Sequence, residues 1–191
     1  MRIGLFFGSY NPVHSGHMVI ASYMAEFSNL DQVWMVVSPQ NPLKPAGSLL
    51  QDYQRLHLVE LAIGDYRKLK VSKIEFDLPK PSYTVHTLAY LTEKFPQHNF
   101  ALIMGADNLQ TFDKWKDYEL ILEQHDIIVY PRPGSDGGKF KDHPRVQFTE
   151  APQMEISSTF IRNAIRNKKD VRFMMPEKVW NYIEEMNFYK K

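Results

Sequence analysis

Two histidines near the start of the sequence have the residue type and spacing for phosphate chemistry. His14 and His17 lie in the stretch GSYNPVHSGH, which follows an apolar run at residues 3–7. That run predicts a short buried strand, and the apolar residues after Ser15 recur at helical spacing. The start of a helix gathers unpaired backbone N–H groups and the positive end of the helix dipole, so anions bind there. Because histidine adds a donor whose charge changes near neutral pH, the stretch predicts a phosphate site.

A zinc site and a plain helix cap are the other interpretations of this histidine pair. Zinc needs a third and usually a fourth ligand. The chain contains no cysteine, and no acidic residue lies close to the two histidines in the sequence. We therefore expect no metal bound by the protein itself, and phosphate binding is the preferred interpretation.

A second polar cluster lies far along the chain, in the segment ISSTFIR at residues 156–162. Its hydroxyl groups and backbone donors fall at the start of a helix predicted over residues 158–165. Arg162 follows Ser158 by four positions and Thr159 by three, so the three side chains share a helix face. A guanidinium there can hold a pyrophosphate by two parallel hydrogen bonds. Taken alone, the segment fits a helix cap with a surface arginine better than a phosphate site.

Composition and charge narrow the class of protein. The chain has 191 residues, of which 43% are hydrophobic and 24% charged, as in an ordinary globular domain. Its net charge of +1 provides no extended positive field for a nucleic acid. No signal-peptide core precedes Gly8, and no apolar run approaches the ~20 residues that span a bilayer. We expect a cytoplasmic protein with no nucleic-acid or membrane partner, and the sequence leaves a homo-oligomer open.

The elements that must bring these two motifs together are predicted strands and helices that alternate along the chain. Strand-like runs lie at residues 3–7, 33–37, 71–76, 100–104 and 127–130, and helix-like patterns at 15–27, 53–63, 85–92, 118–123, 158–165 and 179–186. Ser82 is the expected N-cap of the third helix. The alternation predicts an α/β fold, with a Rossmann-like, doubly wound, mostly parallel sheet and helices on both faces. We expect a single domain over residues 1–191, with its C-terminal helices starting at about residue 157.

The motifs resemble those of a known superfamily. The first stretch resembles the HxGH signature of the adenylyltransferases (nucleotidylyltransferases), and residues 156–162 resemble their ISSTxIR signature. Three further stretches are similar to nicotinate mononucleotide adenylyltransferases of NAD biosynthesis: PLK at 42–44, SYT at 82–84 and GADNL at 105–109, followed by Trp115. The loop RPG at 132–134 agrees as well. The resemblance runs from the first strand to about Ile165.

The resemblance implies transfer of AMP from ATP to nicotinate mononucleotide, which gives deamido-NAD and pyrophosphate. Mg²⁺ would bridge the phosphates, mainly through substrate oxygens and water. By the same resemblance, His17 would contact the α-phosphate in the transition state, with His14 and Arg162 assisting. Contacts to ATP are implied for Gly8, Ser9, Tyr10, Gly16, Gly105, Asp107, Ile156, Ser157, Ser158 and Thr159.

Contacts to the mononucleotide follow from the stretches shared with the nicotinate mononucleotide adenylyltransferases. The residues concerned are Lys44, Ser82, Tyr83, Thr84, Trp115, Lys116 and Arg132. Trp115 would stack on the pyridine ring, and the backbone at Thr84 and Lys116 would reach the nicotinate carboxylate. Lys44 would meet the phosphate of the acceptor.

The sequence also departs from that family. It has Phe7, Asn11 and Leu43 where the family usually has Gly, Asp and His, and these changes affect acceptor binding more than the reaction class. Phosphopantetheine adenylyltransferases and the cytidylyltransferases with an RTxGISTT signature fit the motifs poorly. An adenylyltransferase that prefers nicotinamide mononucleotide stays open, and so does a nucleotide-binding sensor without catalysis.

Overall fold

Six parallel strands form the centre of the structure, a computed structural model that describes residues 1–39 and 49–190. The strands are β1 (Arg2–Gly8), β2 (Gln32–Val37), β3 (Leu69–Ser72), β4 (Asn99–Gly105), β5 (Ile127–Tyr130) and β6 (Val146–Phe148). They lie in the order β3-β2-β1-β4-β5-β6, and every neighbouring pair is parallel. The predicted parallel sheet is confirmed.

Helices cover both faces of this sheet. They are α1 (Ser15–Phe27), α2 (Asp52–Ile63), α3 (Thr84–Lys94), α4 (Ala106–Gln110), α5 (Tyr118–Gln124), α6 (Ser158–Arg166) and α7 (Glu177–Glu185). One core cluster includes residues of α1, α2, α6 and α7, and a second cluster includes residues of α3, α4 and α5. The doubly wound arrangement is therefore confirmed. Within the described ranges, no helix has the length and apolar content needed to cross a membrane.

The near-continuous apolar character of the strands follows from this double covering. In β1, Ile3 and Leu5 belong to one core cluster, and Phe6 belongs to the other. In β5, Ile127 and Ile128 are divided between the clusters in the same way. Because successive side chains of a strand point to opposite faces, a sheet buried on both sides needs apolar residues at every position.

Some predicted boundaries were wrong. Residues 71–76 do not form one strand, because β3 ends at Ser72 and residues 74–77 form a 3₁₀ turn. Ser82 is not the N-cap of α3, because the cap position is Tyr83. Ser82 lies one residue before the cap, and its hydroxyl is buried. β6 and α4 were not predicted, because elements of three and five residues are too short to show a period.

The strand order predicts a ligand-binding crevice beyond the carboxyl ends of the central strands. The chain winds outward from β1 through β2 to β3, then returns and continues outward through β4, β5 and β6. In such open parallel sheets, ligands bind beyond the carboxyl ends of the strands, where the winding reverses. The histidine stretch follows β1, which lies at this reversal beside β4.

Candidate active site

A cleft of about 500 Å³ opens beyond the carboxyl ends of β1 and β5. His14, His17 and Arg162 all line it, so the two distant motifs share one site. Other residues expected at the nucleotide or the mononucleotide also line the cleft: Gly8, Ser9, Tyr10, Gly16, Arg132, Ile156, Ser157, Ser158 and Thr159. The starts of α1 and α6 thus face one cavity, which suits a polyanion.

The two histidines are held together by the first turn of α1. His14 precedes the helix and His17 lies within it, and their ring centroids are 3.7 Å apart. The backbone N–H of His14 donates to Nδ1 of His17 over 3.3 Å. In the neutral ring the proton is then on Nε2, which makes Nε2 of His17 a hydrogen-bond donor.

His14 is neutral at physiological pH in this structure. Its side chain is 5% exposed, and burial lowers its pKa to about 4, with a further contribution from the positive charge of Arg132. Its Nδ1 has no hydrogen-bond partner among the described atoms. A Cβ added at Gly16 would lie 3.0 Å from that atom, so a larger residue would push the His14 ring by a few tenths of an ångström.

The ISSTFIR segment also holds the β1–α1 loop, defined as residues 9–14. The Ser158 hydroxyl donates to the carbonyl of Pro12 over 2.9 Å, and Nη1 of Arg162 donates to the carbonyl of Asn11 over 2.8 Å. Ser157 caps α6 by accepting from the backbone N–H of Phe160. The Ser158 proton is used within the protein, whereas the Ser157 hydroxyl acts there only as an acceptor. This segment can therefore offer an anion its backbone N–H groups, the Ser157 O–H and Arg162.

Gly8 and Tyr10 shape the wall of the cleft. The Tyr10 side chain is 1% exposed, and its hydroxyl donates to the carbonyl of Phe6 over 2.6 Å. A Cβ added at Gly8 would come within 2.8 Å of the Tyr10 ring. Glycine is therefore needed for tyrosine packing, and the Tyr10 hydroxyl is already used by the protein.

The other predicted residues that the structure describes are not among those lining this cleft. Asp107 approaches Nε of Arg132 to 3.7 Å and follows directly after Gly105 and Ala106, so it borders the cleft wall. Nζ of Lys116 lies 4.8 Å from the ring centroid of Tyr83, which joins the SYT stretch to the segment after Trp115. Ser82 and Thr84 flank Tyr83 in the chain. Lys44 lies outside the described residues.

Comparison with known proteins identifies the family of this chain. Residues 5–164 match the family model described as Cytidylyltransferase-like. Proteins from Flavobacterium psychrophilum and Flavobacterium johnsoniae, each named "Probable nicotinate-nucleotide adenylyltransferase", are both 58% identical over 193 residues, covering 100% of either chain. A protein of the same name from Christiangramia forsetii is 54% identical over 99% of this chain and 98% of its own.

The chain belongs to the nicotinate-nucleotide adenylyltransferase family. Its fold matches a solved structure of nicotinic acid mononucleotide adenylyltransferase from Plasmodium falciparum complexed with NaAD, with a TM-score of 0.85 and 19% identity. The match covers 99% of this chain and 97% of that one. The same Plasmodium enzyme complexed with APC gives a TM-score of 0.82 with 18% identity, over 99% of this chain and 97% of that one.

Asn11 is one of the positions where this member departs from the nicotinate-nucleotide adenylyltransferase pattern. Its side chain is 1% exposed, and its Oδ1 accepts from the backbone N–H of Leu50 over 3.2 Å and from the Tyr189 hydroxyl over 2.8 Å. The departure therefore concerns a buried hydrogen-bond acceptor that holds the β1–α1 loop.

Arg55 on α2 is an important residue that the sequence analysis did not single out. It is 0% exposed and binds the carbonyls of Ser9, Ser38, Pro39 and Leu50 and the carboxylate of Asp52. The available signal was its position four residues before the core residue Val59, on the buried helix face. Arg55 links the ends of β1 and β2 beneath this adenylyltransferase-family cleft.

The low pKa of His14 predicts a pH-dependent stability. The folded-state pKa is about 4 and the ordinary value is 6.5, so the unfolded chain binds the proton more readily. The stabilisation from neutral His14 is therefore fully present above pH 6.5 and is lost as the pH falls towards 4. For a shift of this size the loss is roughly 2–3 kcal/mol.

The measurement is the free energy of unfolding in urea at pH 7 and at pH 4.5, for the native chain and for His14→Asn. Asparagine cannot titrate, so this variant should lose less stability between the two pH values than the native protein. Equal losses in both proteins would show that His14 is not the titrating group. Measuring the difference between the two proteins removes the contribution of His125, whose pKa is also lowered by burial.

Proposed function

We propose that this protein transfers AMP from ATP to nicotinate mononucleotide, forming deamido-NAD and pyrophosphate. The observation that carries the proposal is the convergence of His14, His17 and Arg162 in one cleft at the starts of α1 and α6. Membership of the nicotinate-nucleotide adenylyltransferase family supports the same acceptor.

The reaction needs positioning and charge stabilisation rather than a covalent enzyme intermediate. An oxygen of the acceptor phosphate attacks the α-phosphorus of ATP in line. The bond between that phosphorus and the bridging oxygen breaks, and pyrophosphate leaves with the electron pair. Nε2 of His17 donates to an α-phosphate oxygen as its negative charge grows, and Arg162 binds the leaving pyrophosphate.

A divalent cation, proposed to be Mg²⁺, is part of the ATP substrate in this scheme. Among residues 1–39 and 49–190, no three His, Cys, Asp or Glu side chains are grouped so as to hold a metal ion. The cation would therefore be coordinated mainly by phosphate oxygens and water, as Mg²⁺ commonly is in such sites. Its chemistry is to neutralise the charge of the triphosphate.

The mononucleotide is proposed to bind where the SYT stretch contacts Lys116, the neighbour of Trp115 in the chain. The Trp115 ring is half-buried against Phe112, with their centroids 5.3 Å apart. One face of such an aromatic can stack on a pyridine ring. The nearby ammonium of Lys116 favours an acid over an amide at the end of that ring.

An assay with ATP, Mg²⁺ and nicotinate mononucleotide tests the proposal. We expect equimolar pyrophosphate and deamido-NAD, and a higher kcat/KM for nicotinate mononucleotide than for nicotinamide mononucleotide. Nucleotide binding without pyrophosphate release would indicate a sensor instead of an enzyme. A higher kcat/KM for the amide would move the assignment to the nicotinamide substrate.

Trp115→Ala should weaken the binding of the mononucleotide more than the binding of ATP. Stacking of a base on an aromatic side chain is worth roughly 1–3 kcal/mol in nucleic-acid sites, which corresponds to about 5–160-fold in KM. Steady-state kinetics with each substrate varied in turn measures the two KM values. Trp180→Ala on α7 is the control for losing a partly buried indole elsewhere, and it should change neither KM. A Trp115→Ala effect shared equally by both substrates would assign the ring a packing role only.

A further inference from the structure

The last residues of the chain reach the β1–α1 loop, on which the histidine motif depends. We infer that Tyr189 is a positioning residue for the proposed adenylyl transfer, and that it acts through its hydrogen bond to Asn11. The inference rests on the proposed function for its kinetic consequences. It concerns a residue beyond every motif of the sequence, since the recognised signatures end before α7.

Asn11 is the point at which three separate parts of the chain bind the loop. Its Oδ1 accepts from the Tyr189 hydroxyl over 2.8 Å and from the backbone N–H of Leu50 over 3.2 Å. Its backbone carbonyl accepts from Nη1 of Arg162 over 2.8 Å. Because the side chain is 1% exposed, water cannot readily replace a donor that is removed.

The backbone after α7 is shaped to bring the Tyr189 hydroxyl to this point. Asn187 and Tyr189 have φ values of 54° and 64°, in the left-handed region that non-glycine residues seldom occupy. Phe188 between them is buried, and its ring lies 5.7 Å from that of Tyr182 on α7. Such backbone conformations persist where surrounding contacts fix them, and here the fixed element is the turn that delivers the tyrosine.

Burial keeps the Tyr189 hydroxyl protonated and therefore a donor. Burial raises the pKa of Tyr189, and the nearby positive charges of Arg162 and Arg55 oppose that rise without reversing it. The protonated hydroxyl can therefore donate to Asn11 across the working pH range. Asn11, being neutral, accepts this bond without drawing either arginine into an ion pair.

Tyr189 consequently helps to position two side chains of the proposed site, His14 and Arg162. Asn11 lies three residues before His14 in the loop, and it shares a hydrogen bond with Arg162. If the Tyr189 hydroxyl is removed, Oδ1 of Asn11 loses one of its donors and the loop gains freedom at the place where both groups are anchored. Small misplacements of groups that bind the reacting phosphates are costly to the rate. The proposed mononucleotide subsite at Tyr83 and Lys116 lies on other elements.

Tyr189→Phe removes only the hydroxyl and tests the inference. We expect kcat/KM for ATP to fall about tenfold, as for the loss of one buried hydrogen bond, with KM for nicotinate mononucleotide within about twofold of the native value. The Kd of a non-hydrolysable ATP analogue, measured by calorimetry, should rise as well. Tyr182→Phe, whose ring contacts His57 and Phe188, is the matched control and should leave all three quantities unchanged.

A double-mutant cycle separates positioning from a general packing role. In an Asn11→Ala background, Tyr189→Phe should cause no further loss, because the acceptor is already gone. The same loss in both backgrounds would overturn the inference, as would native kinetics in Tyr189→Phe itself. If Asn11→Ala does not fold, the difference between the two KM values in Tyr189→Phe decides alone. An inactive native protein would refute the proposed function, and the calorimetric comparison would still test Tyr189.

Discussion

His17→Ala is expected to lower kcat by about 10²–10³-fold while the protein keeps its fold. The reason is geometric. Nδ1 of His17 accepts from the backbone of His14, so the proton of the neutral ring is on Nε2, and the ring lies in the cleft beside the start of α1. A donor held in place before the reaction stabilises the charge that grows on the α-phosphate without reorganising at that moment.

The measurement for His17→Ala is kcat under saturating ATP and nicotinate mononucleotide, with circular dichroism and thermal unfolding as checks on the fold. His57→Ala is the matched control, because the His57 side chain is 45% exposed on α2 and pairs with Glu60. It should retain native kcat. A His17→Ala enzyme with full turnover would contradict the mechanism, and the cleft would then need another donor for the α-phosphate.

Arg55→Met should destabilise the protein by about 3–5 kcal/mol, because several carbonyls lose their buried donor at a cost of about 1–3 kcal/mol for each group left unsatisfied. Methionine keeps the apolar part of the side chain but leaves the carbonyls of Ser9, Ser38 and Leu50 without their donor. Burial lowers the pKa of Arg55, and its hydrogen bond to Asp52 opposes that change. The bonded carbonyls and the carboxylate together offset the desolvation of the guanidinium. When the guanidinium is removed, these acceptors are left without a hydrogen-bond donor.

Urea denaturation followed by tryptophan fluorescence measures this loss as a lower midpoint. Arg67→Met provides the control, since Arg67 is exposed and its replacement should stay within about 0.5 kcal/mol of the native stability. A change for Arg55→Met no larger than that of the control would mean that the buried guanidinium contributes little. We also expect Arg55→Met to bind ATP more weakly, because Arg55 holds Ser9 at the cleft.

Local sequence patterns were sufficient for the fold class and for the residue types of the site. Apolar runs such as residues 100–104 predict buried strands because a strand covered on both faces is apolar at every position, and β4 is found there. His14, His17 and Arg162 could be singled out because a histidine pair or a hydroxyl cluster at a helix start has chemical meaning within a few residues. These signals depend only on neighbours along the chain.

The tertiary structure decided the strand order and the roles of Ser158 and Arg55. It also decided the hydrogen bond between Tyr189 and Asn11. Ser158 proved to bind the carbonyl of Pro12, although its position at a helix start predicted a hydroxyl directed at phosphate. Asn11 and Tyr189 are separated by 178 positions, and nothing in the local sequence of either residue refers to the other. A hydrogen bond requires two atoms within about 3 Å, and that distance is set by the path of the whole chain through both helical layers.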